Sequence, residues 1–142
     1  MKLLLKNKFM IRFIIAAILT GLLFGIMDGL INGNPYAMKL MECYKPIAKQ
    51  TINVPLGLLI DLFYGFVISG IFIIIMPALP TEIGIIKGLT YGFGMWFFRV
   101  LMSVISNWMM FNIPGKTLIY LLLTGMIEMI ILGIINGLII KR

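Results

Sequence analysis

The chain has no histidine and a single cysteine, Cys43. Without histidine it lacks the commonest metal ligand and the side chain that most often serves as a general base near neutral pH. One cysteine excludes an intramolecular disulfide. Charge is scarce as well: 12% of the 142 residues are Asp, Glu, Lys or Arg, and only five are acidic. No nucleophile paired with a base, no phosphate-binding loop and no metal-ligand spacing appears, so the sequence carries no enzyme signature.

What fills the chain instead is hydrocarbon. Hydrophobic residues make up 61% of it, and the mean hydropathy of +1.10 lies far above that of soluble domains. Crossing about 30 Å of hydrocarbon takes roughly 20 residues, and four runs are long enough: 13–33, 54–76, 83–111 and 118–140. They consume nearly everything, so residues 1–142 form one domain, expected to be an all-α integral membrane protein. The first run follows Lys2, Lys6, Lys8 and Arg12 in the manner of a signal peptide. Its apolar stretch is too long and no small-x-small site closes it, which predicts an uncleaved first helix.

Turn chemistry sets the connections. "NGNP" (32–35) stops the first helix with glycine, asparagine and proline. "MPALPTE" (76–82) and "NIPGKT" (112–117) make tight turns, with Thr81 placed to cap the third helix. Short turns set consecutive helices side by side and antiparallel, an up-and-down four-helix bundle. The one long connection, 34–53, contains "YAMKLMECYKPIAKQ", in which Lys39, Glu42, Lys45 and Lys49 recur opposite Met38, Met41 and Tyr44. That pattern fits a short amphipathic segment in the membrane interface, bent at Pro46.

Basic residues give the orientation. The N-terminus, the second loop (Lys87) and the C-terminus (Lys141, Arg142) hold seven, against four in the other two loops (Lys39, Lys45, Lys49, Lys116). Both termini are therefore expected to be cytoplasmic in a cell-membrane protein. Trp108, Phe111 and Tyr120 then fall at the outer interface as an aromatic belt. The net charge of +7 is scattered over helix ends, which points to anionic lipid headgroups rather than nucleic acid. Met38, Met41 and Cys43 are soft ligands of a kind that suits copper(I). Twelve methionines in so apolar a chain are read as packing, and no metal or cofactor is expected.

Each helix also places one ionisable residue inside its apolar run: Asp28, Asp61, Arg99 and Glu128. Such groups are costly in hydrocarbon and by default face one another. At about 100° per residue, each shares a face with glycines. Asp28 lies with Gly21, Gly25 and Asn32, in a run that repeats glycine at Gly29 and Gly33, and Asp61 lies with Gly57 and Gly65. Arg99 lines up with Gly84, Gly88, Gly92, Ser103 and Ser106, and Glu128 with Gly125 and Asn136. Asn107 joins the supporting polar set, and Ser106, Asn107 and Asn136 are expected to bond across helices. Small residues at four-residue spacing let helix backbones approach. Depth makes Arg99 with Glu128 the expected ion pair, with Asp28 or Asp61 within reach of the guanidinium.

A faint echo, "GIMDGLING" (25–33) against "MIILGIING" (129–137), hints at an inverted arrangement of the first and fourth helices. Two functions fit these residues. The first is non-enzymatic: an assembly or accessory subunit, self-associating or joined to another membrane protein, held by glycine stripes and a buried charge network. The alternative is a small proton- or cation-coupled transporter or channel that uses the carboxylates around Arg99.

Overall fold

The computed structural model describes residues 2–140, with side chains from Asn7 to Ile140. Lys2, Lys6, Lys141 and Arg142, on which the orientation count leans, have side chains outside that described set. The chain is helical, with no strand among the described residues. Helix α1 (Lys2–Gly33) is followed by α2 (Pro35–Leu40) and a 3-10 turn (Met41–Ile47), then by α3 (Val54–Ile75) and a second 3-10 turn (Met76–Ala78). Helix α4 (Gly84–Met95) passes through a π-helical stretch (Trp96–Leu101) into α5 (Met102–Met110), and α6 (Gly115–Ile139) closes the order.

Four segments are long and apolar enough to cross a membrane: Asn7–Gly33, Val54–Ala78, Gly84–Met110 and Gly115–Ile139. These match the four apolar runs to within a few residues except at the start. There the helix runs back through Lys8 and Arg12, because lysine and arginine are good helix formers and do not end one.

Asparagines mark the boundaries. Asn34 accepts from the Ala37 amide at 2.9 Å and so caps α2, while its own amide donates to Leu30 and Ile31 carbonyls of α1 at 3.0 and 2.8 Å. One side chain thus closes one helix and opens the next. Asn53 caps α3 by accepting from Leu56 N at 3.1 Å. The expected amphipathic segment is not one helix: it divides between α2 and the 3-10 turn that contains Pro46. In that turn Lys45 and Glu42 meet at 2.8 Å in the open, and the ammonium holds the Glu42 carboxyl below its usual range. Thr81 does not cap α4. It accepts from Ile83 N at 3.1 Å, and Ile83 itself holds the cap position without a side-chain bond.

Glycine decides which helices touch. Helices α1 and α3 run antiparallel, and a Cβ added at Gly21 would lie 2.7 Å from Leu62 Cα, while one at Gly65 would strike the backbone of Ala17 and Gly21. Helices α4 and α6 meet the same way, Gly84, Gly88 and Gly92 lying against the backbone of Gly137, Gly133 and Met129. No residue with a Cβ fits where backbone meets backbone this closely. The two pairs join through α1 and α6, where Asn136 donates to Thr20 at 2.9 Å and Tyr120 donates to the Ile31 carbonyl at 2.6 Å. Tyr120, expected in an aromatic belt, therefore pins α1, while Trp108 and Phe111 are exposed. Across the remaining side, Phe72 and Tyr91 stack edge to face at 5.1 Å, and Tyr91 donates to the Ile68 carbonyl at 2.6 Å. With Met129 and Leu132 they fill the half of the molecule nearer the described chain ends.

Several stripe positions do other work. Gly29, Gly33 and Gly57 have nothing within 4 Å of an added Cβ. The 25–33 and 129–137 segments accordingly play different parts: Gly133 and Gly137 are packed and Asn136 is buried, whereas Asn32 is exposed. Lys87 is not a loop residue. It lies in α4 and is buried, its ammonium 3.0 Å from Glu82, because the helix starts immediately after Ile83 and draws the aliphatic stem inward.

The π stretch is the largest departure from the sequence reading. An unbroken α-helix drifts about 40° with each four-residue step and would carry the glycine face of α4 on to positions 99, 103 and 106. The wide turn takes in one extra residue, and the face against α6 continues through Trp96 and Val100. Trp96 donates to the Leu122 carbonyl at 3.0 Å, and Val100 occupies the space in front of Gly125. Arg99 and Ser103 turn toward α1 instead, and Ser106 is exposed.

Candidate functional site: a charged cleft beside α1, α5 and α6

Toward the α1–α2 junction the helices part around a cleft of about 460 Å³. Helix α1 contributes Asp28 and Asn32, the π stretch and α5 contribute Arg99, Ser103 and Asn107, and α6 contributes Thr124 and Glu128. Three of the four intramembrane charges expected from the sequence are thus brought together.

Arg99 holds an unusual position for a cation. Its guanidinium lies over the Phe24 ring, 4.6 Å from the centroid, and 5.8 Å from that of Tyr64. Aromatic faces attract cations in this range. One nitrogen, Nη1, lies 3.6 Å from Glu128 Oε2 and also 3.6 Å from Met129 Sδ. The ion pair is therefore the expected one, but it is long, since a charge-assisted N–H···O bond closes to about 2.7–2.9 Å. The Arg99 side chain keeps 38% of its surface exposed, against 7% for Glu128. The other Glu128 oxygen, Oε1, is buried with no hydrogen-bond partner among the described residues.

Asp28 stands at the exposed side of the cleft. Asn32, one turn along the same helix, donates to its Oδ1 at 2.9 Å and to its carbonyl at 3.0 Å. Asp61 does not line the cleft. It sits in the α1–α3 seam, where a Cβ at Gly25 would lie 2.7 Å from its Oδ2, within electrostatic reach of Arg99 and Asp28. Neither Ser106 nor Asn107 bonds across helices among the described residues, whereas Asn136 does, to Thr20 in the closed half.

Phe24, Tyr64 and Thr124 are the site residues that sequence reasoning missed. Phe24 precedes Asp28 by four residues and Tyr64 follows Asp61 by three, so both lie on the charged faces of their helices. That spacing was a usable signal, hidden because aromatics in an apolar run read as lipid-facing. A second recess, about 470 Å³, lies at the opposite end beside Met76, Lys87 and Ile140.

No protein-family model, no curated protein and no solved structure matches this chain.

Proposed function

We propose that the protein is a membrane-inserted up-and-down four-helix bundle that moves protons or cations by way of the cleft, with Glu128 as the inner carboxylate, Asp28 at the mouth and Arg99 between them. The observation that carries this reading is the cleft itself, a polar opening that runs from an exposed carboxylate to a buried one. Ionisable groups inside membrane segments line solute and proton paths because only a function or a partner offsets their cost. An assembly role predicts a dry network, and Arg99 is more than a third exposed.

The test is proton or cation flux in liposomes containing the purified protein, followed with a pH-sensitive dye and with each cation gradient in turn. Wild-type protein is expected to dissipate the gradient, and Glu128→Gln to lose at least 90% of that rate while keeping its helical circular-dichroism spectrum. Equal rates with and without wild-type protein would overturn the reading.

One observation favours the assembly alternative. The glycine-zipper faces of α1–α3 and α4–α6 are consumed inside the molecule, but Gly29 and Gly33 continue the α1 series with nothing against them. A partner helix in the membrane has room there.

A further inference from the structure

We infer that the cleft binds a small zwitterion, with its oxyanion, a carboxylate or phosphate, on Arg99 and its ammonium on Asp28. The inference deepens the reading given above, since it rests on the cleft admitting polar solutes. The argument is one of unspent bonding capacity and of charge.

A guanidinium carries five N–H donors in a planar fork suited to an oxyanion. Arg99 spends them sparsely: one carboxylate oxygen and one thioether sulfur, each at 3.6 Å. Its plane is held by the rings of Phe24 and Tyr64 rather than by acceptors. A cation fixed by aromatic faces keeps its donors while staying in place. Behind it, Glu128 Oε1 is buried without a partner, although Glu128 lines the same cleft. Two neighbouring groups of the cavity wall, 3.6 Å apart, are thus both short of partners.

Charge selects the class of ligand. A simple anion entering toward Arg99 meets Glu128, 3.6 Å from the guanidinium, and Asp28 in the same cleft, and Asp61 lies within electrostatic reach in the α1–α3 seam. A simple cation entering toward Asp28 meets Arg99. A molecule with both charges a few bonds apart satisfies each wall with the opposite end. The hydroxyls and amides of Ser103, Asn107 and Thr124 supply further hydrogen-bonding groups along the walls. Free amino-acid-like zwitterions and the phosphoethanolamine headgroup of a lipid share this chemistry.

The probes are β-alanine and O-phosphoethanolamine, with propionate, methyl phosphate and ethylamine as the single-charge halves. Binding is measured by calorimetry and thermal shift on the full chain in a neutral sugar detergent, and again in nanodiscs of phosphatidylglycerol with or without phosphatidylethanolamine. At least one zwitterionic probe is expected to bind ten times more tightly than either half, with at least a tenfold loss in Asp28→Asn and in Arg99→Gln. Arg99→Lys, which keeps the charge, separates lost binding from lost folding and is expected to bind at an intermediate level. A response to the soluble zwitterions identifies a free solute; a response confined to phosphatidylethanolamine nanodiscs identifies a headgroup, and either supports the inference. No zwitterionic response in any medium, halves that bind as well as the whole, or an unaffected Asp28→Asn overturns it. Proton or cation flux that persists without zwitterion binding removes this inference alone, whereas binding without flux removes the transport reading alone.

Discussion

Among the described residues, Asn136 and Thr20 form the one side-chain hydrogen-bonded pair that ties α6 to α1 inside the closed half, both residues fully buried. Asn136 also donates to its own Leu132 carbonyl at 2.8 Å, so its amide nitrogen is doubly used. Thr20→Val keeps shape and removes the acceptor. Hydrogen bonds between membrane helices are typically worth about 0.5–2 kcal/mol, and Thr20→Val is expected to lower stability by about that amount in a denaturant titration of the detergent-solubilised protein. The same substitution leaves the cleft intact, so proton or cation flux in liposomes is expected to persist. Glu128→Gln is expected to do the reverse, abolishing flux while changing the unfolding midpoint little, because the long 3.6 Å pair with Arg99 contributes weakly.

At the scale of helices, the glycines separate into those that carry a backbone contact and those that face open space. A methyl at Gly88 would lie 2.6 Å from Ile134 Cα, and backbone has nowhere to go. Gly88→Ala is expected to force α4 from α6 at a cost of about 1–3 kcal/mol, the range for overpacking. Gly94→Ala meets nothing within 4 Å and is expected to be neutral or to stabilise by up to about 1 kcal/mol through helix propensity. Parallel unfolding titrations of the two variants check both. Spacing alone does not distinguish these two classes of glycine. The four long apolar helices were legible because about 20 consecutive apolar residues have few other uses. The Arg99–Glu128 pair was legible because depth along a helix follows from counting. The π stretch was not, since no residue in "WFFRVL" demands a wide turn and its cause lies in the fit to α6. The inward facing expected of Ser106 rests on an unbroken helix, and past the wide turn Ser106 is exposed.

For the molecule as a whole, the four long apolar helices suggest a multi-pass membrane protein, and the proposed orientation puts both termini in the cytoplasm. Cys43 is an internal reporter of that proposal. It is the sole cysteine and is exposed, its thiol donating only to the Leu40 carbonyl at 3.5 Å. A membrane-impermeant maleimide is expected to label it on intact cells without lysis, and Cys43→Ser to abolish the label. Labelling that appears only after lysis would reverse the orientation. The charge cluster was foreseen as one network of four, but it divides: Arg99, Glu128 and Asp28 share a cleft, while Asp61 sits in a glycine seam. The division arises because α1 and α3 approach closely at Gly21 and Gly25, which leaves the half-buried Asp61 carboxylate against Gly25 in that seam.

The extra residue in Trp96–Leu101 sets a phase difference between the two lengths of one span. Its first length is keyed to α6 by glycines, and its second presents Arg99 and Ser103 to the cleft. Straightening the wide turn at full length would rotate everything after it by about 100° and carry Arg99 off its aromatic seat, whereas losing one of the residues it takes in leaves the later faces where they are. The span is thus a clutch: the wide turn takes up one residue of slip between the part that fastens and the part that works, and deletion of Phe97 is expected to leave a regular helix with Val100 still on α6 and Arg99 still in the cleft.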